Sequence, residues 1–185
     1  MKRGENIRPN QRGEFPRVHG SAFVDPSALI IGDVFVGRDV FVGPGAVIRA
    51  DEPRSSIEIG DGSNVQDGVI VHALEGSRVL IGKRTSLTHG CIIHGPCRIG
   101  DGCFVGFGSV VFGASVGDGT LVRHLAVVEG VEVGAGKRVE SGGVVDTHAK
   151  AQELEELGEG DRDLANRVAA MNLSLARAYR EMLGD

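Results

Sequence analysis

VHGSAFVDPSALIIGDVFVGRDVFVGPGAVI, residues 18–48, places an aliphatic residue at every sixth position: Val18, Val24, Ile30, Val36, Val42 and Ile48. Four residues after each of the first five stands a small or β-branched one, namely Ala22, Ala28, Val34, Val40 and Ala46. Moving outward, the register resumes at Ile59, Val65 and Val71, and again from Ile81 through Leu87, Ile93, Ile99 and Val105 to Val111. After single-residue slips it continues through Val116, Val122 and Val128, then Val133, Val139 and Val145. A fixed short period with two inward side chains per repeat predicts an all-β solenoid. Each hexad is a short strand and a corner, three hexads close a triangular coil, and about seven coils stack as a parallel β-helix. Glycine often follows the aliphatic residue, as at Gly60, Gly82 and Gly100, and is expected to serve corners through its tolerance of positive φ. A sandwich would need polar turn clusters every 8–12 residues, and these are missing.

The organisation follows from where the hexads stop. Residues 1–17 precede them as an N-terminal extension, 18–148 form the β-helix, and 149–185 form a linker and a C-terminal helix. Leu164, Val168, Met171, Leu175, Tyr179 and Met182 recur at three- and four-residue spacing, the pattern of an amphipathic helix. Asp161 is the expected N-cap, and a flank of the β-helix is the expected surface for the apolar stripe.

Composition narrows the function. The net charge of −5 gives no reason to expect nucleic acid or an anionic membrane as partner. No signal peptide or membrane-length apolar run is present, so a cytoplasmic location is the expectation. Cys91, Cys97 and Cys103 are odd in number and show no CxxC spacing. All three occupy the small inward position, where a free cysteine acts as a small hydrophobe.

Residues three hexads apart share a face in adjacent coils, about 4.8 Å from one another. Arg49, His72 and His94 therefore form one outward file, and two imidazoles one coil apart can reach one metal ion. Asp67, His89, Phe107 and His124 form a second file on the preceding face. His89 and His94 are joined by five residues of chain that turn a corner, so His89 is expected to reach the other two histidines from a neighbouring subunit. A cyclic homotrimer would close three such sites. The hexads are interrupted by insertion twice, after Ile48 and after Val71, and at each break a carboxylate, Glu52 or Glu75, takes the position of the small inward residue. Departures from a local rule tend to mark functional sites. Three neutral imidazoles with an open fourth position suit catalytic zinc, which lowers the pKa of bound water to about 7. Iron and cobalt suit the same ligands.

Ile48-Arg-Ala-Asp-Glu52, Asn64-Val-Gln-Asp-Gly68, His72-Ala-Leu-Glu75 and Ser86-Leu-Thr-His-Gly-Cys-Ile-Ile-His-Gly-Pro96 resemble the motif set of γ-class carbonic anhydrases. The resemblance extends through Gly106-Phe-Gly and Val144-Val-Asp to Asn172, and includes the carbonic-anhydrase-like domain of carboxysome scaffold proteins. It implies a left-handed β-helix, against the usual right-handed crossover rule. It further implies a homotrimer that interconverts carbon dioxide and bicarbonate at zinc or iron held by His72, His94 and a neighbour's His89. In the roles it implies, Gln66 orients the attacking hydroxide and Asn172 positions carbon dioxide. Glu52 takes part in proton transfer and Glu75 resembles the proton shuttle. Arg49, Asp51 and Asp67 form interface ion pairs, and Asn64 supports them from behind. The family prototype's long acidic loop is cut here to Gly76–Leu80, and Ala170 replaces a tyrosine beside the helix asparagine. Two other functions share the repeat: a non-catalytic trimeric assembly protein retaining the metal site, and a hexapeptide-repeat acyltransferase. The acyltransferase reading leaves three aligned histidines unexplained.

Overall fold

A computed structural model describes residues 5–183. The hexads wind into a left-handed parallel β-helix of about seven coils with a C-terminal helix. The first sheet stacks eight strands, among them Val47–Ala50, Ile70–His72, Ile92–His94 and Val110–Phe112. The second stacks seven, including Ser56–Ile59, Arg78–Ile81 and Cys97–Ile99. The third stacks eight, including Asn64–Val65, Ser86–Leu87, Phe104–Val105 and Leu121–Val122. The strand Ile7–Arg8 pairs with Ile30 and Ile31, so part of the N-terminal extension adds to the first sheet.

The core is the solenoid interior. Alternation along each short strand points the aliphatic residue and the one two positions before it inward, and pairs such as Val34 and Val36, Val40 and Val42, and Ile57 and Ile59 are buried. Where the inward residue is a hydroxyl it bonds a carbonyl of the next coil: Ser63 Oγ donates to Gly82 O at 2.6 Å and Thr85 Oγ1 to Gly100 O at 2.7 Å. These polar groups are thus satisfied without leaving the core. Cys91, Cys97 and Cys103 are free and buried in the same inward positions.

Two sequence expectations are corrected. The glycine directly after the aliphatic residue is not the one with positive φ; that conformation belongs to the third residue, as at Gly102 with φ 64°. Gly82 is required for space instead, since a Cβ there would lie 2.4 Å from the carbonyl carbon of Gly100 in the next coil. Asp161 does not cap the C-terminal helix. Thr147 caps a short helix, α1, over His148–Gln152. Glu155–Glu156 then pair antiparallel with Lys137 and Arg138, and the long helix α2 runs Glu159–Leu183. Asp161 lies inside its first turn, buried, 3.2 Å from Arg138 Nη1. The charge that looked like a cap instead anchors α2 to the last coil. Further along, Tyr179 stacks on Phe23 at 4.9 Å, and Val168 packs against Phe104 and Leu121. Helix α2 thereby covers the outward face of the third sheet.

Candidate metal centre

Register in the first sheet sets the histidine file. His72 pairs with Arg49 on one side and with His94 on the other, and the file continues to Phe112 and Glu129. His72 Nδ1 lies 3.1 Å from His94 Nε2, and the rings meet edge to face. His72 is 7% exposed. Burial, then the Arg49 guanidinium, then His94, push its imidazole below the ordinary histidine range, against the opposing pull of Glu52 and Asp51. The neutral imidazole favoured by this balance is the form that ligates metals.

The two insertions emerge together at the corner beyond this file. Glu75 N–H donates to Glu52 Oε2 at 2.6 Å, and Gly76 N–H donates to Pro53 O at 2.9 Å. Arg54 pairs with Glu75 at 3.2 Å in an exposed contact. So stitched, the loops hold Glu52 Oε1 3.4 Å from His72 Nε2, with Asp51 Oδ1 3.5 Å from the same nitrogen. Asp51 Oδ2 accepts from Arg49 at 2.9 Å. Glu52 and Glu75 do not occupy the inward slot that the hexad count assigns them. The chain bulges outward at both breaks, and Ile57 and Val79 fill the interior there. A carboxylate inside the solenoid would have lost its water without a partner.

The third sheet and α2 assemble a second group. Asp67 Oδ2 stands 3.5 Å from His89 Nδ1 on a half-exposed corner. His89 packs beside Phe107, and Phe107 stacks on His124 at 4.3 Å. Behind this file runs a buried amide ladder: Gln66 Nε2 donates to Asn64 Oδ1 at 2.9 Å, and Asn64 Nδ2 donates to Ser86 Oγ at 2.8 Å. Asn172 is buried in α2 and uses one N–H on the carbonyl of Val168, one turn back, at 2.9 Å. Gln66, His89 and Asn172 line one groove between α2 and the sheet, with Phe104, Val168 and Met171 as its apolar wall.

The candidate residues therefore fall into two groups. Arg49, Asp51, Glu52, His72, Glu75 and His94 gather at the first sheet; Asn64, Gln66, Asp67, His89 and Asn172 gather at the third. Within one chain, no three His, Cys, Asp or Glu side chains among the described residues come together as a metal site.

Sequence reasoning missed one feature of this surface. Leu29, Val47, Ile70, Ile92, Val110 and Val127 pair in an outward aliphatic file along the first sheet, ending at Val144. Ile70 is 39% and Val144 49% exposed. The signal was present as a second aliphatic residue directly before Ile30, Ile48, Val71, Ile93, Val111, Val128 and Val145, on one face in three.

The family model for a bacterial transferase hexapeptide of six repeats matches residues 76–113, and one for the hexapeptide repeat of succinyl-transferase matches residues 30–73. The carbonic anhydrase of Methanosarcina thermophila is 34% identical over 93% of this chain and 78% of its own length. The chain belongs to the γ-class carbonic anhydrase family. A carboxysome assembly protein of Nostoc is 42% identical over 88% of the chain, which spans only 31% of that longer protein. The crystal structure of a hexapeptide transferase family protein from Anaplasma phagocytophilum superimposes with a TM-score of 0.80 at 29% identity, covering 95% of this chain and 98% of that one.

The first-sheet group has the donor types and spacing that suit a tetrahedral metal ion such as zinc. Two imidazole donors on a tetrahedral zinc, each 2.0–2.1 Å from the ion, stand roughly 3.3 Å apart, close to the 3.1 Å between His72 Nδ1 and His94 Nε2. The other nitrogen of His72 faces two carboxylates, the outer support usual for a metal-binding histidine. Within one chain His72 Nε2 and His94 Nδ1, the two nitrogens turned away from this contact, are buried without a hydrogen bond.

Proposed function

We propose that this γ-class chain forms a cyclic homotrimer that hydrates carbon dioxide reversibly at three interfacial metal centres. The observation that carries the reading is the His72–His94 pair at ligand spacing, with the third histidine, His89, one corner away. A rotation axis parallel to the solenoid leaves every coil at its own height. The partner subunit's His89 then arrives level with the gap between His72 and His94. The exposed aliphatic file of the first sheet supplies the apolar surface such an assembly would bury.

His72 and His94 of one subunit and the partner subunit's His89 would hold zinc, with iron and cobalt as alternatives. The bound ion would act as a Lewis acid, bringing the pKa of water to about 7. In our reading Gln66, fixed by Asn64, orients the water oxygen that adds to the carbon of carbon dioxide. Asn172 presents its free amide valences to the substrate from α2. Glu52, held beside His72 by the Glu75 N–H, accepts the proton released as bicarbonate forms, and Glu75 passes it to solvent. Arg49 and Asp51 keep the interface side charged and ordered, and Asp67 meets Arg49 across the interface.

Stopped-flow hydration on zinc-loaded protein, and on iron-loaded protein under anaerobic conditions, tests this. Activity with either metal that is lost in His89→Ala supports the enzyme; absence of hydration with both metals, at one bound ion per chain, would refute it. The 42% identity to a carboxysome assembly protein favours a second reading, a trimeric assembly module with a retained metal site. An inactive, metal-loaded trimer is the result that reading predicts.

A further inference from the structure

The assembly proposed above also sets what lies one coil beyond the metal centre. Each member of the corner file is followed five residues later by a member of the first-sheet file: Asp67 by His72, His89 by His94, Phe107 by Phe112. Phe112 pairs with His94 in the next coil up. A symmetry operation that brings the partner's His89 level with the gap between His72 and His94 therefore brings the partner's Phe107 level with the gap between His94 and Phe112.

Both rings are ready for such a contact. In the single chain Phe107 is 48% and Phe112 38% exposed. Phe112 meets the His94 ring edge-on at 5.3 Å. Phe107 is backed by His124, whose Nδ1 accepts the Phe107 N–H at 3.0 Å while the two rings stack. The opposite flank of the centre carries Arg49, Asp51 and Glu52 instead.

We infer that Phe107 and the partner subunit's Phe112 form an aromatic seal that closes the upper flank of the metal centre. Water and protons then exchange only on the Glu52 flank. This rests on the proposed trimer and makes Phe107 and Phe112 positioning residues for it. Apolar walls of this kind exclude water and strengthen the electrostatics of the site they border.

The sequence contains no tryptophan, so Phe107→Trp introduces a single reporter. In metal-free full-length protein, with the oligomeric state measured by sedimentation at the same concentration, the seal predicts a trimer with blue-shifted emission and little acrylamide quenching. Adding Phe112→Ala should restore quenching while the trimer persists. A trimer whose indole is quenched as freely as in urea would overturn the seal and leave the assembly standing; a native chain that sediments as a monomer would overturn both. If the indole itself blocks assembly, cobalt release to a chelator decides. Phe107→Ala and Phe112→Ala should each speed release, and the double variant should release no faster than the quicker single one. Multiplicative effects would show that the rings do not meet.

Discussion

His72 Nδ1 and His94 Nε2 stand 3.1 Å apart in adjacent coils, whereas His89 sits around the corner beside Asp67 and Phe107. In the proposed trimer, two histidines preorganised in one chain and a third displaced to the next face would make metal retention depend on assembly. His89→Ala should reduce bound metal to background, measured by elemental analysis of the purified protein. His124 lies in the same corner file but its nitrogen accepts a backbone N–H, and His124→Ala should retain metal.

The amide ladder behind the corner makes a stability prediction. Asn64 accepts from Gln66 and donates to Ser86 in a buried setting. Asn64→Ala leaves both partners unpaired away from water, and the expected cost is about 1–3 kcal/mol. Urea unfolding at neutral pH measures it, and an unchanged midpoint would place the ladder in contact with solvent.

Alkaline pH tests the interior. Burial raises the thiols of Cys91 and Cys97 to about 12 and that of Cys103 to about 11, from 9.0. The unfolded chain loses these protons above pH 9 while the folded chain keeps them. Their contribution to stability is complete below pH 9 and declines as pH rises toward the folded values, by up to about 1.4 kcal/mol per pH unit and thiol. The urea midpoint should therefore fall more steeply from about pH 8 to about pH 10.5 in the native chain than in a Cys91→Ala, Cys97→Ala, Cys103→Ala variant.

Two glycines of neighbouring coils separate close approach from backbone conformation. Gly102 has φ 64° and open space where an alanine methyl would stand, whereas a Cβ at Gly82 would collide with the backbone of Gly100. Gly102→Ala should cost about 1–2 kcal/mol, the strain of a left-handed alanine. Gly82→Ala should cost more, about 3 kcal/mol, because the next coil must shift. Thermal unfolding of the two variants gives the order directly.

The solenoid is legible because its period is short and strict. Counting hexads in threes places Arg49, His72 and His94 in one file and Asp67, His89, Phe107 and His124 in another, and both files are present. Counting fails where the chain leaves the period. It assigns Glu52 and Glu75 inward slots that Ile57 and Val79 fill, because hexad arithmetic carries no information inside an insertion. Asp161 resembles a cap by position, yet its partner, Arg138, comes from a distant strand that no local pattern announces. The buried link from Asn64 to Ser86 crosses a whole coil and is equally invisible to local reading.

Subunit complementation tests the central claim most directly. His89→Ala and His94→Ala chains each lack a ligand at every interface of their own trimers and should neither bind metal nor hydrate carbon dioxide. Once co-refolded, each mixed trimer holds one interface where an intact His89 faces an intact His72–His94 pair. The account predicts that metal binding and hydration return on mixing, in proportion to the mixed species. Mixed trimers that stay metal-free and inactive, or a His89→Ala trimer that keeps its full metal content, would contradict a centre shared between subunits.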